Sequence, residues 1–174
     1  MDRGLAEHAT IYNYTLLKKL TVPPLYASLS IGLLLAAALY TILRHGLAGL
    51  AAVLAGAVLV PLLQAALTKA MLRWLHGYRA VPWGWMFVYP WLGYLPAAYI
   101  RVSRLFFLQL HLLVAGAALL AVLYIWLPAY WFGMMAAIHL WLLAPRLVLL
   151  WKLHGVAEQG MVKLAGREIA LYRS

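Results

Sequence analysis

The chain has 174 residues, of which 67% are hydrophobic and 10% are charged, and its formal net charge is +10 at pH 7. This composition excludes an ordinary soluble domain, in which about a quarter of the residues are charged. The basic residues lie beside apolar runs, where they face anionic lipid headgroups, so we expect a lipid-bilayer partner and no nucleic-acid partner. Because cysteine is absent, a disulfide, a thiolate nucleophile and an iron–sulfur cluster are also excluded.

Residues 1–24 precede the first long apolar run and are predicted to be a cytoplasmic or interfacial segment. Their mixed charges, and the lack of a small-residue cleavage site, are unlike a cleavable signal peptide. The spacing of their apolar residues predicts a helix lying at the membrane interface. These residues are Leu5, Ile11, Tyr14, Leu17 and Leu20.

Four apolar runs are long enough to cross a hydrocarbon core, which takes about 20 helical residues. They cover approximately residues 25–43, 47–75, 105–127 and 129–151. The sequence therefore predicts an all-α integral membrane protein of about four transmembrane helices. The four-span membrane domain is expected to occupy residues 25–153.

Residues 80–104, between the second and third runs, are apolar but interrupted by five proline or glycine residues. A regular spanning helix is therefore not expected, and irregular backbone exposed to lipid would leave its amides unsatisfied. Two alternatives stay open: a re-entrant or hairpin segment shielded by the helices, or an interfacial segment at headgroup depth, where Trp and Tyr are common. The aromatic side chains of this segment are candidates for binding a partner: Trp83, Trp85, Tyr89, Trp91 and Tyr94.

The positions of the basic residues predict the orientation of the chain, because Lys and Arg favour cytoplasmic flanks. With the N-terminus inside, only Arg44 lies on the outer side. The other thirteen basic residues lie inside: Arg3, Lys18, Lys19, Lys69, Arg73, Arg79, Arg101, Arg104, Arg146, Lys152, Lys163, Arg167 and Arg173. We therefore predict a multi-pass cell-membrane protein with both termini in the cytoplasm.

The remaining segments give two local predictions. Residues 154–174 form a cytoplasmic tail, in which residues 162–164 and 168–172 are expected to be two short strands joined by a turn. In the second run, Ala48, Ala52 and Gly56 form a ladder of small residues that allows close approach of a neighbouring helix. That neighbour is either a helix of the same bundle or a second copy of the chain.

Polar side chains inside the apolar runs predict a candidate polar pocket. Gln64 and Thr68 share a helix face because they are four residues apart, and His139 and Arg146 are seven apart and nearly share one. At a rise of about 1.5 Å per residue, all four lie in the cytoplasmic half of the membrane. Each also has a structural alternative: helix–helix or backbone hydrogen bonds for Gln64, Thr68 and His139, and snorkelling to the headgroups for Arg146.

A bis-histidine haem site is not expected, although the third and fourth runs each contain a histidine. His111 lies 17 residues before Pro128 and His139 lies 11 residues after it. The two rings would therefore differ by about 9 Å in height along the helix axes, whereas axial ligands of one haem should be level.

Three stretches resemble the zincin-peptidase family, small multi-pass bacterial membrane proteins that are distantly similar to site-2 intramembrane metalloproteases. The second run, VLVPLLQAALTKAMLRWLHG, corresponds to that family's HExxH helix, and the aromatic segment corresponds to its extended segment. The closing stretch, AIHLWLLAPRLVLLWKL followed by GMVKLAGREIALYRS, is similar to its last span and tail.

The family's catalytic groups are missing from the corresponding positions. HExxH supplies two zinc ligands and a catalytic base, but this chain has Gln64, Ala65 and Thr68 there. The position of the acidic ligand falls near Arg146, and that of the asparagine ligand near His139. The resemblance therefore implies a pseudopeptidase with no catalytic residue, no bound metal and no cofactor.

The leading hypothesis is a non-catalytic membrane scaffold or pseudopeptidase that binds another membrane protein, a peptide segment or a second copy of itself. The alternative is a transport or small-ligand protein, in which the four polar residues line a path. Hydrolysis by Ser103 and His111 is not expected, because no acidic residue lies nearby to orient the histidine.

Overall fold

The computed structural model describes residues 15–74, 81–154 and 160–173. Within these residues the chain forms three helices and six strands, in the order β1 (Thr15–Thr21), α1 (Pro24–Trp74), β2 (Trp83–Val88), β3 (Trp91–Pro96), β4 (Ile100–Arg101), α2 (Val102–Leu123), α3 (Ala129–His154), β5 (Met161–Ala165) and β6 (Glu168–Arg173). All three helices are long and apolar enough to cross a membrane, as expected of a membrane protein. The all-α prediction is wrong, because the strands form two antiparallel sheets.

The 51 residues of α1 do not form one straight rod. Gly46 has φ 59° and ψ −133°, a backbone conformation that glycine adopts readily because it lacks a Cβ atom. Beyond it, Gly49 lies against the carbonyl group of Thr41, although eight residues of straight helix would separate them by about 12 Å. The chain therefore reverses within α1, which comprises a first arm (24–45) and a second arm (47–74). The first two predicted spans thus lie in one helix, and the described residues have three apolar helices where four were predicted.

A four-stranded antiparallel sheet, in the order β1-β6-β5-β4, lies at one end of the helices. Strand β1 leads into α1, β4 leads into α2, and β5 follows α3, so we name this the sheet end. At the opposite end lie the reversal of α1 and the turn between α2 and α3. There the rings of His45 and Tyr130 stack with centroids 4.0 Å apart.

The strands of this sheet confirm one local prediction and overturn another. Residues 161–165 and 168–173 pair as the expected hairpin of the tail. The interfacial helix is wrong for residues 15–21, which form β1, whereas residues 1–14 lie outside the described part of the chain. The physical reason is pairing with β6, which also places Lys19 Nζ 2.6 Å from a carboxylate oxygen of Glu168.

Residues 83–96 form a separate β-hairpin of β2 and β3, named the inner hairpin below. Its turn is Tyr89-Pro90, and Gly93 has φ +117°, in the range that favours glycine. Strand β3 packs against α1 and α3, and Trp91 and Leu95 are buried. The aromatic segment is therefore a hairpin, in which β3 packs against the helices while Trp85, Phe87 and Val88 of β2 are exposed.

Two apolar cores hold the elements together. At the sheet end, Leu105, Leu153 and Ile169 bring α2, α3 and the sheet together with β3. Between the helices, Val60, Ile138 and Leu142 belong to a second core. In the small-residue ladder, Gly56 lies against Ile138 and Met135 of α3, so this part of the ladder packs within the chain.

Candidate functional site

A buried polar cluster joins the three helices. Gln64 of the second arm places Nε2 3.1 Å from Nδ1 of His139 on α3, and Nε2 of His139 lies 3.2 Å from the carbonyl oxygen of Leu113 on α2. Because a carbonyl oxygen only accepts, Nε2 of the imidazole carries the proton and Nδ1 accepts from the Gln64 amide. One neutral tautomer therefore satisfies both hydrogen bonds, and the ring bridges all three helices.

Two neighbours complete this cluster. Gly116 of α2 lies directly against the imidazole ring of His139, where any side chain would overlap it. The Thr68 hydroxyl donates to the carbonyl oxygen of Gln64 at 2.8 Å, one turn earlier in the same helix. The structure therefore brings Gln64, Thr68 and His139 together, and their hydrogen bonds are made to one another and to the backbone.

Arg146 lies nearer the sheet end of α3 and has different partners. Its side chain is 2% exposed, its Nε donates to the carbonyl oxygen of Pro90 at 3.2 Å, and its Nη1 lies 3.5 Å from Oε1 of Gln109 on α2. The snorkelling interpretation is wrong, because the guanidinium is directed to the turn of the inner hairpin and is buried. The carbonyl group of this turn supplies an acceptor inside the protein. The sequence around Arg146 gives no sign of that acceptor, because it lies in a distant segment.

The charge of Arg146 has no carboxylate counterpart in the described part of the chain. The one acidic residue there, Glu168, pairs with Lys19 in the sheet. Among the described residues, Nη2 of Arg146 and Nε2 of Gln109 have no hydrogen-bond partner. Both atoms are buried donors, and they belong to two side chains that contact each other.

Hydrogen bonds fix the turn of the inner hairpin among the helices. The Tyr89 hydroxyl donates to Oγ of Ser30 at 2.9 Å, and Nε1 of Trp141 donates to the carbonyl oxygen of Ser30 at 3.0 Å. Burial raises the pKa of the Tyr89 hydroxyl above its ordinary value. Ser30 lies six residues after Pro24, so the turn reaches about 9 Å along the first arm.

An apolar cavity of about 390 Å³ lies between both arms of α1, the inner hairpin and α3. Its lining includes Leu34, Val53, Trp85, Phe87, Gly93 and Leu142. None of the four predicted polar residues lines it. The cavity borders β2, whose Phe87 is 79% exposed and whose outer edge pairs with no strand among the described residues.

The five predicted aromatic residues occupy different surroundings. Trp85 lines the apolar cavity, Tyr89 fixes the turn and Trp91 is buried in the core. Trp83 and Tyr94 stack across the two strands, and Nζ of Lys69 lies 5.1 Å from the Tyr94 ring centroid. Phe87, which sequence analysis missed, also lines the cavity. Its spacing of two residues from Trp85 is the strand periodicity that places both side chains on one face.

No group of three His, Cys, Asp or Glu side chains is placed to hold a metal ion within residues 15–74, 81–154 and 160–173. No family model, curated protein or solved structure matches the chain. The resemblance to the zincin peptidases therefore stays a prediction from sequence.

Proposed function

We propose that this protein is a non-catalytic membrane protein that binds an extended segment of another membrane protein along the edge of β2. The observation that carries the proposal is the free edge of β2 beside the apolar cavity. An extended peptide can add to such an edge through main-chain hydrogen bonds, while pockets beside it receive alternate side chains. The edge and the cavity offer these two kinds of contact at one place.

The surroundings of the inner hairpin support a bound segment of apolar character. The cavity wall is formed by side chains such as Leu34, Val53 and Leu142, so burying an apolar side chain in the cavity is favourable in free energy. A segment unwound inside a membrane must have its backbone groups satisfied, because lipid supplies no hydrogen bonds. The edge of β2 would supply them. A transport path lined by the four polar residues has less support, since none of them lines this cavity.

We further propose that the protein is a pseudopeptidase in the sense that the resemblance implies. Gln64 and Thr68, which stand at HExxH positions, are engaged in hydrogen bonds with His139 and with the helix backbone. Gln64 thereby links α1 to α3, and Thr68 is bonded within α1, in place of holding a metal. Such a scaffold could still bind an extended segment in its cleft, because binding does not require the catalytic groups.

The proposed orientation is that of a multi-pass cell-membrane protein with the sheet end in the cytoplasm. The support is charge: among the described basic residues, Arg44 alone lies at the end opposite the sheet. Because the chain has no cysteine, single cysteines report orientation cleanly. A membrane-impermeant maleimide should label Ile125→Cys in intact cells and Ala165→Cys only after lysis. The reverse pattern would refute this orientation.

The binding proposal is tested with a probe peptide of about 20 residues, the length that spans a membrane. The probe is rich in Leu and Ala, with a central Val- and Gly-containing stretch that favours extended backbone. Its affinity is measured for the purified chain in neutral-lipid nanodiscs. The control peptide has the same sequence with N-methyl groups on alternate central amides, which removes the main-chain donors.

N-methylation should weaken binding at least about tenfold, since tenfold is about 1.4 kcal/mol, the scale of one or two hydrogen bonds. Equal affinities for the two peptides, or no binding of either, would overturn strand addition.

A further inference from the structure

We infer that Arg146 and Gln109 form a binding site for a carboxylate, supplied by an acidic side chain of the segment bound at β2. The inference rests on the proposed function and adds to it the chemistry of the partner. The partner class is a membrane-embedded segment with an Asp or Glu close to its extended stretch.

The first support is the unmatched charge at this position. The Arg146 side chain is 2% exposed and contacts no carboxylate in the described part of the chain. Burying a charge without a partner is costly, so binding of a counter-ion is favoured because it forms the ion pair that the Arg146 guanidinium otherwise lacks. A carboxylate suits a guanidinium especially well, because two parallel N–H groups match its two oxygen atoms.

The second support is the surplus of donors. Nη2 of Arg146 and Nε2 of Gln109 are buried without a hydrogen-bond partner among the described residues. The two groups also touch, because Nη1 of Arg146 lies 3.5 Å from Oε1 of Gln109. These two donors lie on contacting side chains and have no acceptor among the described residues, so they favour a group that only accepts hydrogen bonds, such as an ionised carboxylate.

The third support is the route from the apolar cavity. Gly93 lines the cavity, and the position that a Cβ atom would take there lies 3.4 Å from Nη2 of Arg146. Because Gly93 has no side chain, its backbone brings the cavity lining close to the guanidinium. Leu142, one turn before Arg146 on α3, lines the same cavity. A ligand for Arg146 should therefore have an apolar body beside its acidic group.

Depth favours a protein segment over a lipid headgroup as the source of this acid. Arg146 lies eight residues before the end of α3 at His154, which is about 12 Å along the helix. Lipid phosphates lie at the membrane surface, whereas an acidic side chain on a bound segment reaches any depth at which it is placed. A carboxylate at this depth is rare and functional in membrane segments, which makes it a selective feature.

The test compares two probe peptides that differ in one residue, Glu or Gln, placed beside the central extended stretch. Affinity is measured in nanodiscs of neutral phosphatidylcholine and again in nanodiscs containing phosphatidylglycerol. We expect the Glu peptide to bind at least about tenfold more tightly in both lipids, the scale of one charge-assisted pair. Equal binding of the two peptides overturns this inference and leaves the proposed function standing. No binding of either peptide overturns the proposed function itself.

Two variants assign the preference to the site. Arg146→Met should bind the Glu and Gln peptides equally. Gln109→Glu, which is nearly the same size, supplies the carboxylate from within the chain and should also abolish the preference, without leaving an unpaired charge that endangers folding. A Glu preference that survives in Gln109→Glu refutes the site. A preference present in neutral lipid and lost in phosphatidylglycerol assigns the site to an anionic lipid headgroup and refutes the acidic segment.

Discussion

Gly116 of α2 and His139 of α3 are in such close contact that a Cβ atom on the glycine would overlap the imidazole ring. The contact is possible because glycine has no side chain, and it lets the ring reach the carbonyl oxygen of Leu113 on the same helix. Small residues commonly permit such close approach between membrane helices. Gly116 is thus the residue that makes room for the hydrogen-bonded bridge between α1, α2 and α3.

Gly116→Ala should therefore destabilise the protein, by about 1–3 kcal/mol for overpacking alone. The methyl group displaces the His139 ring and breaks its hydrogen bonds to Gln64 and Leu113. The matched control is Gly133→Ala on α3, where nothing lies within 4 Å of an added Cβ atom. Thermal unfolding in detergent should show a lower midpoint for Gly116→Ala and an unchanged or higher one for Gly133→Ala. Equal midpoints would show that the bridge does not depend on this contact.

The reversal of α1 makes a second prediction. Gly46→Ala places a side chain at φ 59°, ψ −133°, which should cost about 1–3 kcal/mol of unfolding free energy. The control in the same helix is Gly32→Ala, which meets open space. The free energy of unfolding in a denaturing-detergent titration distinguishes them. If Gly46→Ala were as stable as Gly32→Ala, the two-arm arrangement would be wrong.

A third prediction concerns the unpaired guanidinium. Gln109→Glu should raise the free energy of unfolding by about 1–3 kcal/mol at neutral pH, because the new carboxylate forms a charge-assisted hydrogen bond with Arg146. The gain should disappear when acidification protonates the new carboxyl group. Gln109→Leu, which offers no acceptor to Arg146, is the control and should be destabilised. A Gln109→Glu protein less stable than the unmodified chain would mean that the Arg146 charge is already balanced.

A fourth prediction follows from the raised pKa of Tyr89. Well below pH 10, the ordinary pKa of tyrosine, the hydroxyl is protonated in both states and its bond to Ser30 contributes fully. Above that pH the unfolded chain ionises first, so stability falls as pH rises through the folded pKa. The difference in unfolding free energy between the unmodified chain and Tyr89→Phe should therefore shrink above pH 10. A difference that grows with pH would contradict the buried hydroxyl.

Sequence reasoning found what depends on local composition. Long apolar runs predicted membrane helices, and the alternation in residues 162–172 with a glycine between predicted the tail hairpin. It missed β1, because that strand is defined by pairing with β6, which lies about 150 residues further along the chain. Local periodicity contains no information about such a partner.

The candidate site shows the same limit. Polar groups inside apolar runs are costly and need partners, which points to Gln64 and His139, and the structure makes these two side chains partners. The burial of Arg146 is not predictable from sequence, because its acceptor is the Pro90 carbonyl group and any residue in that turn would offer one. Phe87 is not distinguished in the sequence, because the face of β2 on which it lies depends on strand pairing that the local pattern does not show.

The most direct test of strand addition is a disulfide scan between Phe87→Cys and single cysteines placed along the probe peptide. The chain has no other cysteine, so each crosslink has one origin. Leu43→Cys is the control, because Leu43 has an exposed fraction similar to that of Phe87, 76% against 79%, but is at the opposite end of the helices. An extended segment at β2 predicts crosslinking that alternates every second peptide position and is absent with the control. A repeat of three to four positions, or equal crosslinking to Leu43→Cys, would contradict binding by strand addition.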